Sequence, residues 1–261
     1  MKKLKLALIG CGKLSEVVGK AANDGILEEY ELVGVFSRDE NATNNFTNKF
    51  GGMACKSIEE LMNLKADYTV EAATVEAVKE YSEKVISSGS NLIVLSIGAF
   101  ADTGFYNKIK EIANKNNKKV YLPSGAIGGL DIIRTVALMG EVSSSINVKK
   151  PPRALLNTAL YKDELQNLQG EELLFSGTAS DAIKLLPTHV NVAIALSLAS
   201  NGPEDTYIEI SAMDNVVGDK FTIKVKGEGI NIEVKIDPDS SLVAGWSVVS
   251  VLKNITSPIV F

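Results

Sequence analysis

At 261 residues, 45% hydrophobic and 23% charged, the chain can bury one large core or two modest ones, which sets aside the disordered and fibrous classes. A net charge of −5, with only short basic clusters at Lys115–Lys119 and Lys149–Lys150, argues against a nucleic-acid surface. One histidine and two cysteines without a CxxC pair leave no set of zinc ligands.

Cys11 and Cys55 read as two buried thiols in a reducing cytosol, with a disulfide as the alternative. The basic start MKKLKLALIG carries an apolar run, Leu6–Ile9, that is too short for a secretion signal or a membrane span. Val190–Ala199 is interrupted by Asn191 and Ser197 and is about half a membrane span, so it reads as a buried helix. A cytoplasmic protein with no membrane partner is the expectation.

In chain order, residues 4–9 form a strand that ends at Gly10, and Lys13–Glu29 has helical spacing at Leu14, Val17, Val18, Ala21 and Ala22. Glu31–Phe36 is a second strand and Ser57–Leu64 a short helix. Strands at Tyr68–Val70, Leu92–Leu95 and Lys119–Leu122 alternate with helices at Val75–Ser87 and Thr103–Asn114. That alternation predicts α/β architecture, a Rossmann sheet of parallel strands wound on both faces.

After Pro123 the texture changes. A glycine-rich stretch, Ser124–Asp131, leads into a helix at Ile132–Met139, and strands follow at Ser144–Lys149, Thr206–Met213, Lys220–Lys226 and Asn231–Ile236. Helices at Ser180–Leu185 and Val190–Ala199 lie between them. Alternation in IEISAM and FTIKVK predicts a second α+β domain of mainly antiparallel sheet with one wet face, suited to a substrate site or a dimer contact. A last helix, Ser241–Lys253, is expected to fold back onto the first domain. The division reads 1–122 with 240–261 for dinucleotide binding, and 123–239 for substrate and dimerisation.

Gly10-Cys11-Gly12-Lys13-Leu14-Ser15 follows the first strand and opens the first helix, the context of a dinucleotide fingerprint. Gly10 permits the tight turn, Gly12 lets backbone approach a pyrophosphate, and Lys13 and Leu14 begin the helix whose amino end stabilises its charge. Ser15 stands where the third glycine usually is. At the end of the second strand, Ser37 and Arg38 replace the acidic residue that would accept from a ribose 2′-hydroxyl, which favours NADP over NAD. The alternative makes Arg38 a solvated loop residue and gives the carboxylate's work to Asp39.

With these features in hand, the chain resembles the L-aspartate dehydrogenase family along nearly its whole length. The likeness is carried by Val70-Glu71-Ala72-Ala73, by the segment from Leu95-Ser96-Ile97-Gly98 to Asp102, and by Tyr121-Leu122-Pro123-Ser124-Gly125-Ala126-Ile127-Gly128-Gly129-Leu130-Asp131. Lys150-Pro151-Pro152, Leu174-Phe175-Ser176-Gly177 and Pro187-Thr188-His189-Val190-Asn191-Val192 continue it. The resemblance implies a homodimer that moves hydride from the α-carbon of L-aspartate to C4 of a nicotinamide. The imine so formed hydrolyses to oxaloacetate and ammonia. It places Ala72, Ala73, Ser96, Ala126 and Asn191 beside the cofactor, and Ser124, Gly125, Ile127 and Gly128 beside the substrate.

The family's catalytic histidine corresponds to Phe221 here, and phenylalanine neither donates nor accepts a proton. Two residues can take the role: His189, the single histidine, and Lys220, next to the replaced position. Three readings follow. The first is a dehydrogenase like aspartate dehydrogenase; the second a reductase of another small imine or keto acid, with Phe221 marking an apolar pocket; the third a dinucleotide-binding protein without turnover.

Overall fold

The computed structural model describes residues 2–187 and 189–261; Thr188, within the Pro187–Val192 segment, lies outside the described residues. Its backbone divides into two compact units, one of residues 1–125 and 242–261, the other of residues 126–241.

In the first unit, β1 (Leu4–Ile9), β2 (Tyr30–Phe36), β3 (Met53–Cys55), β4 (Tyr68–Glu71), β5 (Asn91–Val94) and β6 (Val120–Tyr121) form a parallel sheet in the order β3-β2-β1-β4-β5-β6. This is the strand order of dinucleotide-binding doubly wound sheets, and it reverses direction between β1 and β4. The helices are α1 (Lys13–Asn23), α2 (Glu40–Phe50), α3 (Ile58–Asn63), α4 (Val75–Ser87) and α5 (Thr103–Lys115), with α9 (Val243–Thr256) arriving from the far end of the chain.

Helix α1 stops at Asn23, short of the expected Glu29, because the chain turns through Gly25 at a φ of +77°. Helix α2 and strand β3 were not expected. The run ENATNNFTNKF has weak helix formers, yet Asp39 caps it by accepting from the Ala42 amide at 3.0 Å, and Phe46 and Phe50 anchor it in the core. That core joins α1, α2 and α9 to Leu6, Leu8, Val35, Val70 and Ile93 of the sheet. Helix α9 is further tied by Tyr30, whose hydroxyl donates to the Leu252 carbonyl at 2.8 Å, and by the Lys253–Glu29 ion pair at 2.7 Å.

The second unit contains α6 (Leu130–Met139), β7 (Ser143–Lys150), β8 (Glu171–Thr178), α7 (Ala179–Leu185), α8 (Asn191–Ala199), β9 (Thr206–Met213), β10 (Lys220–Gly227) and β11 (Ile230–Ile236). Its sheet runs β11-β10-β7-β9-β8 and is mixed, since β7 pairs parallel with β9 and antiparallel with β10. Strand β8 was not expected; its register slips between Leu173 and Phe175, which breaks the period-2 pattern that would have revealed it. One face is buried by Ile146, Val148, Phe221, Ile223, Ile208 and Ile210, while Lys149, Lys224 and Tyr207 stand on the other.

Because Leu252 is fully buried in the first unit's core, Leu252→Ala is expected to lower unfolding free energy by about 2–5 kcal/mol in a denaturant titration. A loss under about 0.5 kcal/mol, the level of an ordinary surface substitution, would show that α9 is not part of that core.

Candidate active site

At the carboxyl ends of β1, β2 and β4 a cavity of about 340 Å³ is lined by the Ile9–Gly12 turn, the Phe36–Asp39 turn, Ala72, Ala73, and Ala77 and Tyr81 of α4. The two glycines of the first turn do different work. Gly10 sits at a φ of +103°, and a Cβ there would fall 2.5 Å from the Ala72 carbonyl oxygen, so only glycine fits. Gly12 has ordinary dihedrals, and among the described residues beyond its chain neighbours nothing lies within 4 Å of where its Cβ would be. It also leaves α1 without a capping side chain, so the first-turn amides of Lys13 and Leu14 are open to an anion. A pyrophosphate needs this combination of room and unpaired donors. Ser15, at the third position, is fully buried and its hydroxyl finds no partner among the described residues.

At the end of β2, Ser37 is tied to its own loop. Its hydroxyl donates to the Asp39 carbonyl at 3.1 Å and accepts from the Asp39 amide at 3.2 Å, so it is not the free donor expected for a 2′-phosphate. The Asp39 carboxylate is occupied in capping α2. Arg38 is exposed at the cavity and makes no ion pair among the described residues. Cys11 is only half-buried and both cysteines are free thiols, which corrects the expectation of two buried ones.

Ser96, expected at the cofactor, is buried with its hydrogen-bonding groups committed: its hydroxyl donates to Glu71 Oε1 at 2.8 Å and its amide to Glu71 Oε2 at 3.0 Å. Glu71 also accepts from the Ala73 amide at 2.8 Å. Burial raises its pKa above the ordinary carboxylate value, against the hydrogen bonds from Ala73 and Ser96 that lower it. In the sequence Glu71 shows only as part of a strand end. In the glycine-rich loop, the Gly125 amide donates to Ser247 Oγ at 3.1 Å and so is not offered to a ligand, and the Ile127 side chain is buried. Ser124, Ala126 and Gly128 are half-buried.

In the second unit, Val148 and Lys150 of β7 and Phe221 of β10 share one face, and Lys150 Nζ is ion-paired with Asp219, which immediately precedes β10. The Lys150 side chain is 5% exposed, and its amine was missed from sequence although it continues the inward alternation Ser144, Ile146, Val148. His189 lies within reach of both charges: burial first, then Lys150, lowers its pKa from 6.5, while Asp219 raises it. The imidazole is therefore neutral at physiological pH. Phe221, at 3% exposure, faces the core between Val148 and Ile236. Lys220 does not join this group: alternation puts it on the opposite face, beside Asp237 at 3.4 Å, with 40% of its side chain exposed. Asn191 is the first residue of α8. A larger cavity of about 430 Å³ in this unit, between Pro151–Leu156 and Asp214–Val216, contains none of the expected site residues.

Comparison with known proteins agrees with this geometry. Residues 10–123 match the family model described as homoserine dehydrogenase, NAD binding domain, and residues 131–255 match aspartate dehydrogenase, C-terminal. The chain is 31% identical to the L-aspartate dehydrogenase of Methanocaldococcus jannaschii and 32% identical to that of Methanococcus maripaludis, covering 98% of each chain in both cases. The crystal structure of aspartate dehydrogenase from Thermotoga maritima superposes with a TM-score of 0.78 at 25% identity, over 99% of both chains. The chain therefore belongs to the L-aspartate dehydrogenase family.

Proposed function

We propose that this protein is an NADP-preferring dehydrogenase that interconverts L-aspartate with oxaloacetate and ammonia, acting as a cytoplasmic homodimer. The observation that carries the reading is the cradle at Gly10 and Gly12, where one glycine is demanded by the protein and the other leaves space that no protein atom uses. The first unit then holds the dinucleotide and the second carries the substrate chemistry. When bound, the nicotinamide accepts or supplies the hydride.

The chain's own residues bind and manage protons. Gly10, Gly12 and the amides of Lys13 and Leu14 hold the pyrophosphate, with Ala72 and Ala73 forming the facing wall. Arg38 reads a 2′-phosphate, alone among the two residues first assigned to it, because the Ser37 hydroxyl is spent in its loop. His189 is the acid or base, held neutral by burial and by the neighbouring Lys150. Asn191, Ser124, Ala126 and Gly128 border nicotinamide and substrate. The exposed sheet face bearing Tyr207 and Lys224 is the dimer contact. A second reading, reduction of a keto acid without the second carboxylate, is favoured by Phe221, which puts an aromatic ring on the face that carries Lys150.

Purified protein with oxaloacetate, ammonium and NADPH should consume the reduced cofactor. No turnover there, with turnover on a monocarboxylic keto acid, would establish the second reading, and no turnover on any keto acid would establish a binding protein. Arg38→Ala should weaken NADPH relative to NADH by roughly 10–100-fold, the worth of a hydrogen bond to a charged group; an unchanged ratio returns the 2′-position to Asp39. Gly12→Ala should leave the melting temperature alone and weaken dinucleotide binding, whereas Gly10→Ala should damage both; equal effects on stability would remove the cradle argument.

His189→Ala should cut kcat by roughly 10²-fold or more, while Lys220→Ala stays near wild type. With the His189 pKa lowered, the acidic limb of kcat/KM should fall below pH 6.5. An acidic limb above that value, or an unaffected alanine variant, would remove His189 from the chemistry.

A further inference from the structure

Among the described residues two ionisable side chains are nearly inaccessible, Lys150 and Glu71, and they are managed differently. Lys150 has a counterion in Asp219. Glu71, at 1% exposure, has none among the described residues: two backbone amides and a hydroxyl surround it, Ala73 N–H and Ser96 Oγ–H on Oε1 and Ser96 N–H on Oε2. An ionised carboxylate buried without a cation costs stability unless hydrogen bonds offset it.

What those bonds hold is the wall of the cavity. Ala73 N–H fixes the turn that follows β4, and the Ala72 carbonyl of that turn is the atom against which Gly10 packs. The Ser96 bonds lock the end of β5 to the same carboxylate. We propose that Glu71 is a positioning residue for the dinucleotide: its carboxyl group gathers the Ala73 and Ser96 amides and thereby sets the Ala72–Ala73 turn to the shape the ligand requires. This rests on the cavity's being the dinucleotide site.

Two consequences separate this role from a merely structural one. Burial, and against it hydrogen bonds from Ala73, Ser96 and Leu95, are the main influences on the proton affinity of Glu71, and the net direction is upward. A carboxyl whose pKa is raised by folding favours the folded state at low pH, and that contribution is lost as pH rises through the raised value. Acidification through this window therefore does not cost stability at Glu71. It does turn the charge-assisted bonds from Ala73 and Ser96 into weaker neutral ones, and the grip on the turn loosens. Ligand affinity and fold stability then respond to acid in opposite senses.

The test is calorimetric binding of NAD+ to the full chain between pH 7.5 and 5.5, with melting temperatures alongside. NAD+ is the probe because a 2′-phosphate, as in NADP, takes up a proton of its own near pH about 6. Wild-type affinity should fall on acidification, by at most about tenfold per pH unit for one proton. Glu71→Gln, whose amide must turn a donor toward one of the two backbone N–H groups, should bind roughly tenfold more weakly at pH 7.5 and show no such fall. The same Kd and the same pH profile in both proteins would overturn the proposal.

Should Glu71→Gln not fold, Ser96→Ala serves instead. It removes one donor to the ionised form, so the midpoint of the affinity loss should move to higher pH; an unmoved midpoint would overturn the proposal equally. Failure of the wild-type chain to bind NAD+ or NADP at any pH would overturn the assignment of the cavity, and this role with it.

Discussion

The turn after β1 passes so close to the turn after β4 that a single methyl group at Gly10 would strike the Ala72 carbonyl. These strands are neighbours at the place where the sheet's order reverses, so the chain leaves them toward opposite sides and a crevice opens between. The crevice is useful to a ligand only if its walls are backbone. Gly10, Gly12, Ala72 and Ala73 meet that need by having little or no side chain, and Glu71 supplies from behind the rigidity that small residues lack. Much of the first unit exists to hold these two turns at that separation.

Elements whose signal is local were legible in the sequence. The strand–glycine–helix passage at residues 4–23 announces itself by composition and period, and the later strands of the second unit alternate cleanly. Helix α2 did not, because Asn and Thr favour other conformations until Asp39 caps the helix and two phenylalanines bury its face. The parallel pairing of β7 with β9 is a property of topology, which alternation in either strand does not encode. The site was legible where it is made of backbone. It was not where a side chain matters through a distant partner: Glu71 meets Ser96 25 residues on, and Lys150 meets Asp219 69 residues on. Lys220, next in sequence to Phe221, stands on the opposite face of the sheet, as alternation requires.

In the second unit one sheet face carries both apolar and charged groups. Phenylalanine at 221 seals the sheet face with apolar surface, and the polar capacity on that face gathers at the ends of β7 and β10 instead, in Lys150 and Asp219. A neutral imidazole beside this ion pair can take a proton as a base, and the nearby Asp219 carboxylate favours the imidazolium so formed.

The first unit is assembled from both extremes of the chain, with residues 126–241 inserted between its sheet and α9. During synthesis the parallel sheet emerges from the ribosome early, while Val248, Val249 and Leu252, which close its apolar face, appear only after the entire second unit has been made. Until then Leu6 and Leu8 of the nascent sheet and Val17 and Val18 of α1 are incompletely covered, a surface that invites chaperone binding or self-association. Growth temperature and translation speed should thus govern the yield of soluble protein more strongly than the stability of the finished fold would suggest.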